Sequence, residues 1–269
     1  MSPGKKPNAG HSIFQQLLNY ANYRLNAFQP EDALVAVRQI ESSSRTLTRP
    51  LSQPASERLI FERGRALTEL TSFQPALLLL DRVKTQPFLT EAKFLKAQIL
   101  LSQKQVEESR TLLKEIVEGD ESWRRANDAL ALLVALDPLV GESLDLFCQS
   151  VLYQLQGRAE DAVPVLRQLA VEQFDKDPAE WARYQIGRLK EEAGDAEGAR
   201  KEWDQLLLEA NHPVILGMLR RNRIHRINAA GERITDMTAY QELLLDFPDT
   251  LASDLARLEV QQDMMRIRP

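Results

Sequence analysis

Residues 181–213, WARYQIGRLKEEAGDAEGARKEWDQLLLEANHP, decide the fold. They read as two short amphipathic helices joined at Ala193-Gly194-Asp195. Each helix carries one small residue, Gly187 in the first and Ala199 in the second, twelve positions apart. A small side chain at a crossing point lets two helix backbones approach closely. Trp203 and Leu206, four and seven residues past Ala199, continue the same face of the second helix.

The spacing recurs. Small pairs twelve apart stand at Ala21/Ala33, Gly64/Ala76, Ala97/Ser109, Ser150/Ala162 and Gly187/Ala199. Four residues past each second member are Val37, Leu80, Leu113, Leu166 and Trp203; seven past it are Ile40, Val83, Ile116, Leu169 and Leu206. Five concordant windows mark an internal repeat. The second members step by 43, 33, 53 and 37 residues, with a further 37 to a degenerate position at Asp236. The 43-residue step holds a polar, proline-punctuated stretch, 42–56, expected to be a loop. The 53-residue step holds an additional helix expected at about Ser122–Leu136 and ended by Asp137-Pro138.

A helix–turn–helix unit of about 34 residues with this pattern resembles the tetratricopeptide repeat (TPR). The resemblance implies an all-α solenoid of about six units. A Pro-, Gly- and Lys-rich tail at 1–10 is expected to be disordered, followed by N-terminal units over 11–118. The additional helix and connector over 119–142 then separate them from C-terminal units and a capping helix over 143–269. The sixth unit is degenerate: helices Val214–Asn228 and Arg233–Asp246 are expected to pair across Ala-Ala-Gly-Glu, with Ile224 and Asp236 in place of the small pair. The stretch AYQELLLDFPDTLASDLARLEVQ resembles a pattern of bacterial envelope TPR proteins. Asp249 or Thr250 is expected to cap a last helix, Leu251–Ile267, that shields the final core face.

Composition agrees with helices and restricts function. Leu, Ala, Glu, Gln and Arg dominate and only 11 of 269 residues are glycine, while alternating clusters of Val, Ile and Thr are absent. A net charge of -5 lacks the clustered Lys/Arg surplus of a nucleic-acid binder. The single cysteine, Cys148, excludes an intramolecular disulfide and reads as a small buried hydrophobe. No run of about 18 apolar residues marks a membrane span. The start, MSPGKKPNAGHS, has no apolar segment of a secretory signal. A cytoplasmic protein is expected if Met1 is the native start, and a bacterial periplasmic or envelope one if the chain was trimmed from a precursor.

Little here points to catalysis. His11, His212 and His225 are scattered, with no metal-ligand spacing to one another or to Cys148. Nucleophile-elbow, phosphate-loop and zinc-protease motifs are absent. Glu107/Glu108 and Glu191/Glu192 read as solvated helical faces. The protein is therefore expected to be no enzyme and to hold neither cofactor nor metal. The basic run 219–226, LRRNRIHR, spreads its four arginines around most of a helix. It reads as a solvated helix with acidic neighbours; an enzyme or anion-binding site at Arg220–Arg226 is the distant alternative.

In the resembled family, the stripe beside each first-helix small residue lines a concave surface. Three before the small residue the six units carry Leu18, Phe61, Phe94, Phe147, Tyr184 and Arg221. One after it they carry Asn22, Arg65, Gln98, Val151, Arg188 and His225. The expected partner-binding residues are Phe61, Arg65, Phe94, Gln98, Phe147, Tyr184 and Arg188. They suit an extended peptide or a partner helix, since aromatics and Arg anchor interfaces. Equally, the rings would complete packing between repeats. A chaperone-tail carboxylate clamp is not present as a set, because Phe61, Glu62, Glu91 and Leu95 stand where polar donors are needed. The reading is a scaffold or adaptor that holds a protein segment in its groove and helps assemble a complex. The alternative is a structural subunit or homo-oligomer built through the convex face or terminal helices.

Overall fold

The computed structural model describes residues 9–44, 52–119, 126–174, 176–227 and 233–267. The expected tail and insert lie partly outside them: Ala9 and Ala55 are already helical, whereas 1–8 and 45–51 are not described. Six helices come first, α1 (Ala9–Asn26), α2 (Pro30–Ser44), α3 (Gln53–Glu69), α4 (Phe73–Leu80), α5 (Phe88–Ser102) and α6 (Val106–Gly119). The additional helix follows as α7 (Ala126–Leu136), then α8 (Gly141–Leu155), α9 (Ala159–Glu172), α10 (Asp177–Glu192) and α11 (Ala196–Glu209). The chain ends with α12 (Pro213–Ile224), strands β1 (His225–Ile227) and β2 (Arg233–Thr235), α13 (Met237–Asp246) and α14 (Leu251–Ile267).

Two compact units emerge, 1–100 with 154–157, and 101–153 with 158–269. The connector over 119–142, expected to divide the chain into halves, falls inside the second unit. There α7 packs against α6, α10, α12 and α14. A helix apolar on nearly every face requires such enclosure, and Ala126, Ala129, Ala131, Leu132, Ala135 and Leu136 are all buried.

The repeat is visible in the turns. Phe28, Thr71, Lys104, Gly157 and Gly194 each have a left-handed backbone, with φ of 49°, 56°, 61°, 68° and 86°. Each stands five residues before the second small residue of its window. After Phe28, Thr71, Gly157 and Gly194 the next residue donates its N–H back to the first helix: Gln29 to Arg24, Ser72 to Leu67, Arg158 to Tyr153 and Asp195 to Lys190, at 2.8–2.9 Å. This is the Schellman closure, which satisfies carbonyls that a helix end leaves open. One device thus reverses the chain in successive hairpins.

Packing explains the small residue of the first helix. A Cβ at Gly187 would lie 2.1 Å from Nε1 of Trp203, and one at Gly64 would lie 2.8 Å from Cδ2 of Leu80. Both partners stand four residues past the second small residue, so each glycine seats the bulky side chain of the facing helix. Trp203 then donates from Nε1 to the Tyr184 carbonyl at 3.1 Å.

The sixth unit departs from the helices expected at 214–228 and 233–246. Helix α12 stops at Ile224, and β1 pairs antiparallel with β2 in the register His225–Thr235, Arg226–Ile234 and Ile227–Arg233. Asp236 accepts from the N–H groups of Thr238 and Ala239, which fixes the start of α13 behind the strand. Ile227, Ile234 and Thr235 are β-branched and favour extended backbone. The close crossing moves to Gly217, where a Cβ would lie 2.9 Å from Cβ of Ala252 on α14. The last helix runs over the residues expected, with Thr250 as its cap.

Candidate functional site

In the first unit, α1 carries Asn19, Asn22 and Asn26, and α3 carries Arg58, Glu62, Arg65 and Glu69. Steps of three and four place each set along one helix face. The sets interlock: Arg58 Nη2 donates to Asn19 Oδ1 at 3.3 Å. Arg65 Nη1 donates to Asn22 Oδ1 at 2.9 Å and to Glu62 Oε2 at 3.2 Å, and its Nη2 donates to Asn26 Oδ1 at 3.1 Å. Burial raises the Glu62 pKa against the pull of Arg65 and Arg58. One turn on, burial pushes the Glu69 carboxyl up to about 8, opposed by Arg65 and reinforced by Glu62. Oxygen Oε2 of Glu69 is buried and accepts no hydrogen bond from the described residues.

The four aromatic rings expected on the stripe are all buried, at 7 % exposure for Phe61, 5 % for Phe94, 0 % for Phe147 and 4 % for Tyr184. Phe61 packs on Phe88 with centroids 5.7 Å apart, and Phe147 on Trp181 at 4.5 Å. Tyr184 stacks on Trp203 at 6.0 Å, and its hydroxyl accepts from Asn222 at 3.4 Å. Burial pushes that hydroxyl up to about 12. The ring faces are thus committed within the chain. Arg65 and Gln98, 40° further round their helices, are only half-buried.

The same stripe in the second unit is covered. Arg188 on α10 lies 3.8 Å from Asp128 of α7 and donates to Glu192 at 2.9 Å. These two carboxylates hold its pKa above the usual arginine range against the effect of burial. Arg221 on α12 is bidentate to Glu259 of α14, at 2.7 and 3.3 Å. The basic run is likewise internally balanced: Arg220 lies 3.3 Å from Asp246 and 3.6 Å from Glu242, and Arg223 pairs with Asp204. The side chains of His225 and Arg226 are outside the described residues.

Among the described residues no group of three or more His, Cys, Asp and Glu side chains could hold a metal ion. Burial pushes the Cys148 thiol up to about 11, away from nucleophilic reactivity. No described helix is long and apolar enough to cross a membrane.

Sequence reasoning missed Asn19, Asn26, Arg58 and Glu69. The signal available was three asparagines at helical spacing on one helix, opposite alternating charges at helical spacing on another.

These hairpins define an all-α, TPR-like helical repeat protein. No protein-family model matches the chain, and no curated protein matches it. It is similar to a crystal structure of putative kinesin light chain nearly identical TPR-like repeats from Podosopora anserina, at 17 % identity and a TM-score of 0.40, covering 72 % of this chain and 93 % of that one. A variant of the same repeats gives 15 % identity and a TM-score of 0.41, covering 80 % and 100 %.

Proposed function

We propose that the chain is a non-enzymatic scaffold that holds a protein segment along the polar face of α1 and α3, with Gln98 of α5 extending it. The observation that supports this reading is the network centred on Arg65. Because Arg65 takes the amide oxygens of Asn22 and Asn26, the NH2 groups of both remain to donate to a peptide carbonyl. Donors fixed in advance by a guanidinium lose little freedom on binding, which favours an extended segment. Phe61 and Phe94 are buried, each 40° round its own helix from Arg65 or Gln98. Phe147 and Tyr184 pack on Trp181 and Trp203, Arg188 pairs with Asp128 of α7, and all three lie outside the proposed face. Site-specific photocrosslinking tests it: a benzoyl-phenylalanine at exposed Tyr23, 40° round α1 from Asn19, should yield an adduct with another protein, and one at exposed Leu258 should not. Adducts from Leu258 alone would move the binding face to α14.

A further inference from the structure

Within the second unit a cavity of about 420 Å³ opens between α6, the end of α7 and the starts of α10 and α12. A space of that size suits a small molecule. Leu133, Val134 and Pro138 give it an apolar lining. Bonds within the chain fix its walls. Arg110 of α6 donates to Asp137 at 2.7 Å. Glu180 of α10 accepts from the N–H groups of Asn211 and His212, at 2.7 and 3.1 Å, which ties the segment before α12 to α10. The His212 imidazole is oriented in turn: Nδ1 accepts from the Val214 N–H at 3.2 Å, so Nε2 carries the proton and is left to donate.

Those bonds leave three polar groups of the cavity unspent. Arg110 is taken by Asp137, with Glu107 at 3.7 Å as well. The Lys114 ammonium, one turn after Arg110, and the half-buried Asp177 carboxylate, at the first position of α10, have no partner among the described residues. The Nε2–H of His212 is the third. Half-buried polar groups without protein partners are groups that a ligand can satisfy. A cation, an N–H donor and an anion beside an apolar lining are complemented by a small zwitterion with an aliphatic body. Its carboxylate accepts from Lys114 and His212, its ammonium donates to Asp177, and its body covers Leu133, Val134 and Pro138. A ligand of one charge alone would set a like charge against Lys114 or Asp177.

We infer that this cavity is a binding site for a small aliphatic zwitterion, a free amino acid or a short peptide, held by Lys114, His212 and Asp177. The inference does not depend on the face of α1 and α3, and its test needs no partner protein. Ligand-observed nuclear magnetic resonance titrations onto the full chain use L-leucine and leucyl-leucine as probes, and the tighter of the two identifies the source. That probe should bind saturably. Isocaproate, which is leucine without its ammonium, and isoamylamine, which is leucine without its carboxylate, should each bind about tenfold more weakly or worse. Lys114→Ala should weaken the zwitterion about tenfold or more, with an unchanged circular dichroism melt because the residue is exposed. Asp177→Asn removes the charge that selects the ammonium, so isocaproate should then bind as well as the zwitterion. Failure of both zwitterions to bind would overturn the inference. Binding that Lys114→Ala and Asp177→Asn leave intact would overturn it too, as would isocaproate binding the parent chain as tightly as the zwitterion.

Discussion

Replacing Gly187 by alanine sets a methyl group in the seat of an indole. The new Cβ would lie 2.1 Å from Nε1 of Trp203 and 2.6 Å from two further ring atoms, where favourable contact begins at about 3.5 Å. The nearest atom is the one that donates to the Tyr184 carbonyl, and the ring is also stacked on the Tyr184 side chain. The indole therefore has no small displacement that keeps both contacts. Overpacking costs about 1–3 kcal/mol, and loss of the hydrogen bond adds about 1 kcal/mol. Gly187→Ala should thus destabilise the fold by about 2–4 kcal/mol. Trp203→Ala alone should cost about 2–3 kcal/mol, less than a fully buried tryptophan, because the ring is half-buried. In the double variant the methyl occupies some of the vacated space, so the two losses should fall short of their sum by about 1–3 kcal/mol. Urea unfolding followed by circular dichroism measures all four proteins without relying on the tryptophan removed. A Gly187→Ala protein within about 0.5 kcal/mol of the parent, or strict additivity in the cycle, would refute the seat.

The remaining predictions use the turns and two carboxyls. Thr71→Gly relieves a β-branched residue of a left-handed backbone and should raise stability by about 0.5–1 kcal/mol in thermal melts, where a loss would show the strain is absent. Glu69, with its carboxyl raised from 4.5 to about 8, keeps in the folded state a proton that the unfolded chain releases, so the parent loses stability as pH rises between those values. The melting temperature of Glu69→Gln should match the parent near pH 4, exceed it increasingly up to about pH 8 and hold that gap above; parallel pH curves would refute the shift. Glu57 is the opposite case, held down to about 2 by the Thr85 hydroxyl and by the N–H groups of Thr85 and Lys84. Its contribution is present above 4.5 and lost as pH falls toward 2, so Glu57→Gln should melt below the parent at pH 7, with the gap closing in acid.

The hairpins and their seats were legible because they rest on local spacing. Gly187 and Ala199 lie on one short stretch, and the bulky residues past each second small residue, half-buried Trp203 apart, are buried as their helical phase requires. The turns were only half legible. Gly157 and Gly194 announce a left-handed position, but Phe28, Thr71 and Lys104 hold the same backbone without glycine. There the closure of the hairpin overrides residue preference. Strands of three residues are too short to show alternation, which hid the pairing of His225–Ile227 with Arg233–Thr235. Depth was the further gap. Helical phase assigns Phe61 and Arg65 to neighbouring stripes, and only packing decides that the ring is buried while the guanidinium stays half-exposed. The cover over Arg188 comes from Asp128, sixty positions earlier on a separate helix, a contact that no local pattern announces.

The central claim is that a protein segment binds along α1 and α3. The most direct test is to purify the protein crosslinked at Tyr23 and titrate it onto the parent chain, onto an Asn22→Ala/Asn26→Ala variant, and onto Arg63→Glu. Arg63 faces Glu41 of α2, away from the proposed face, and serves as the control. Two lost donors at about 1 kcal/mol each predict at least a tenfold weaker Kd for the asparagine variant. Its melting temperature should stay close to the parent's, and Arg63→Glu should bind as the parent does. An unchanged Kd in a folded asparagine variant would contradict the account.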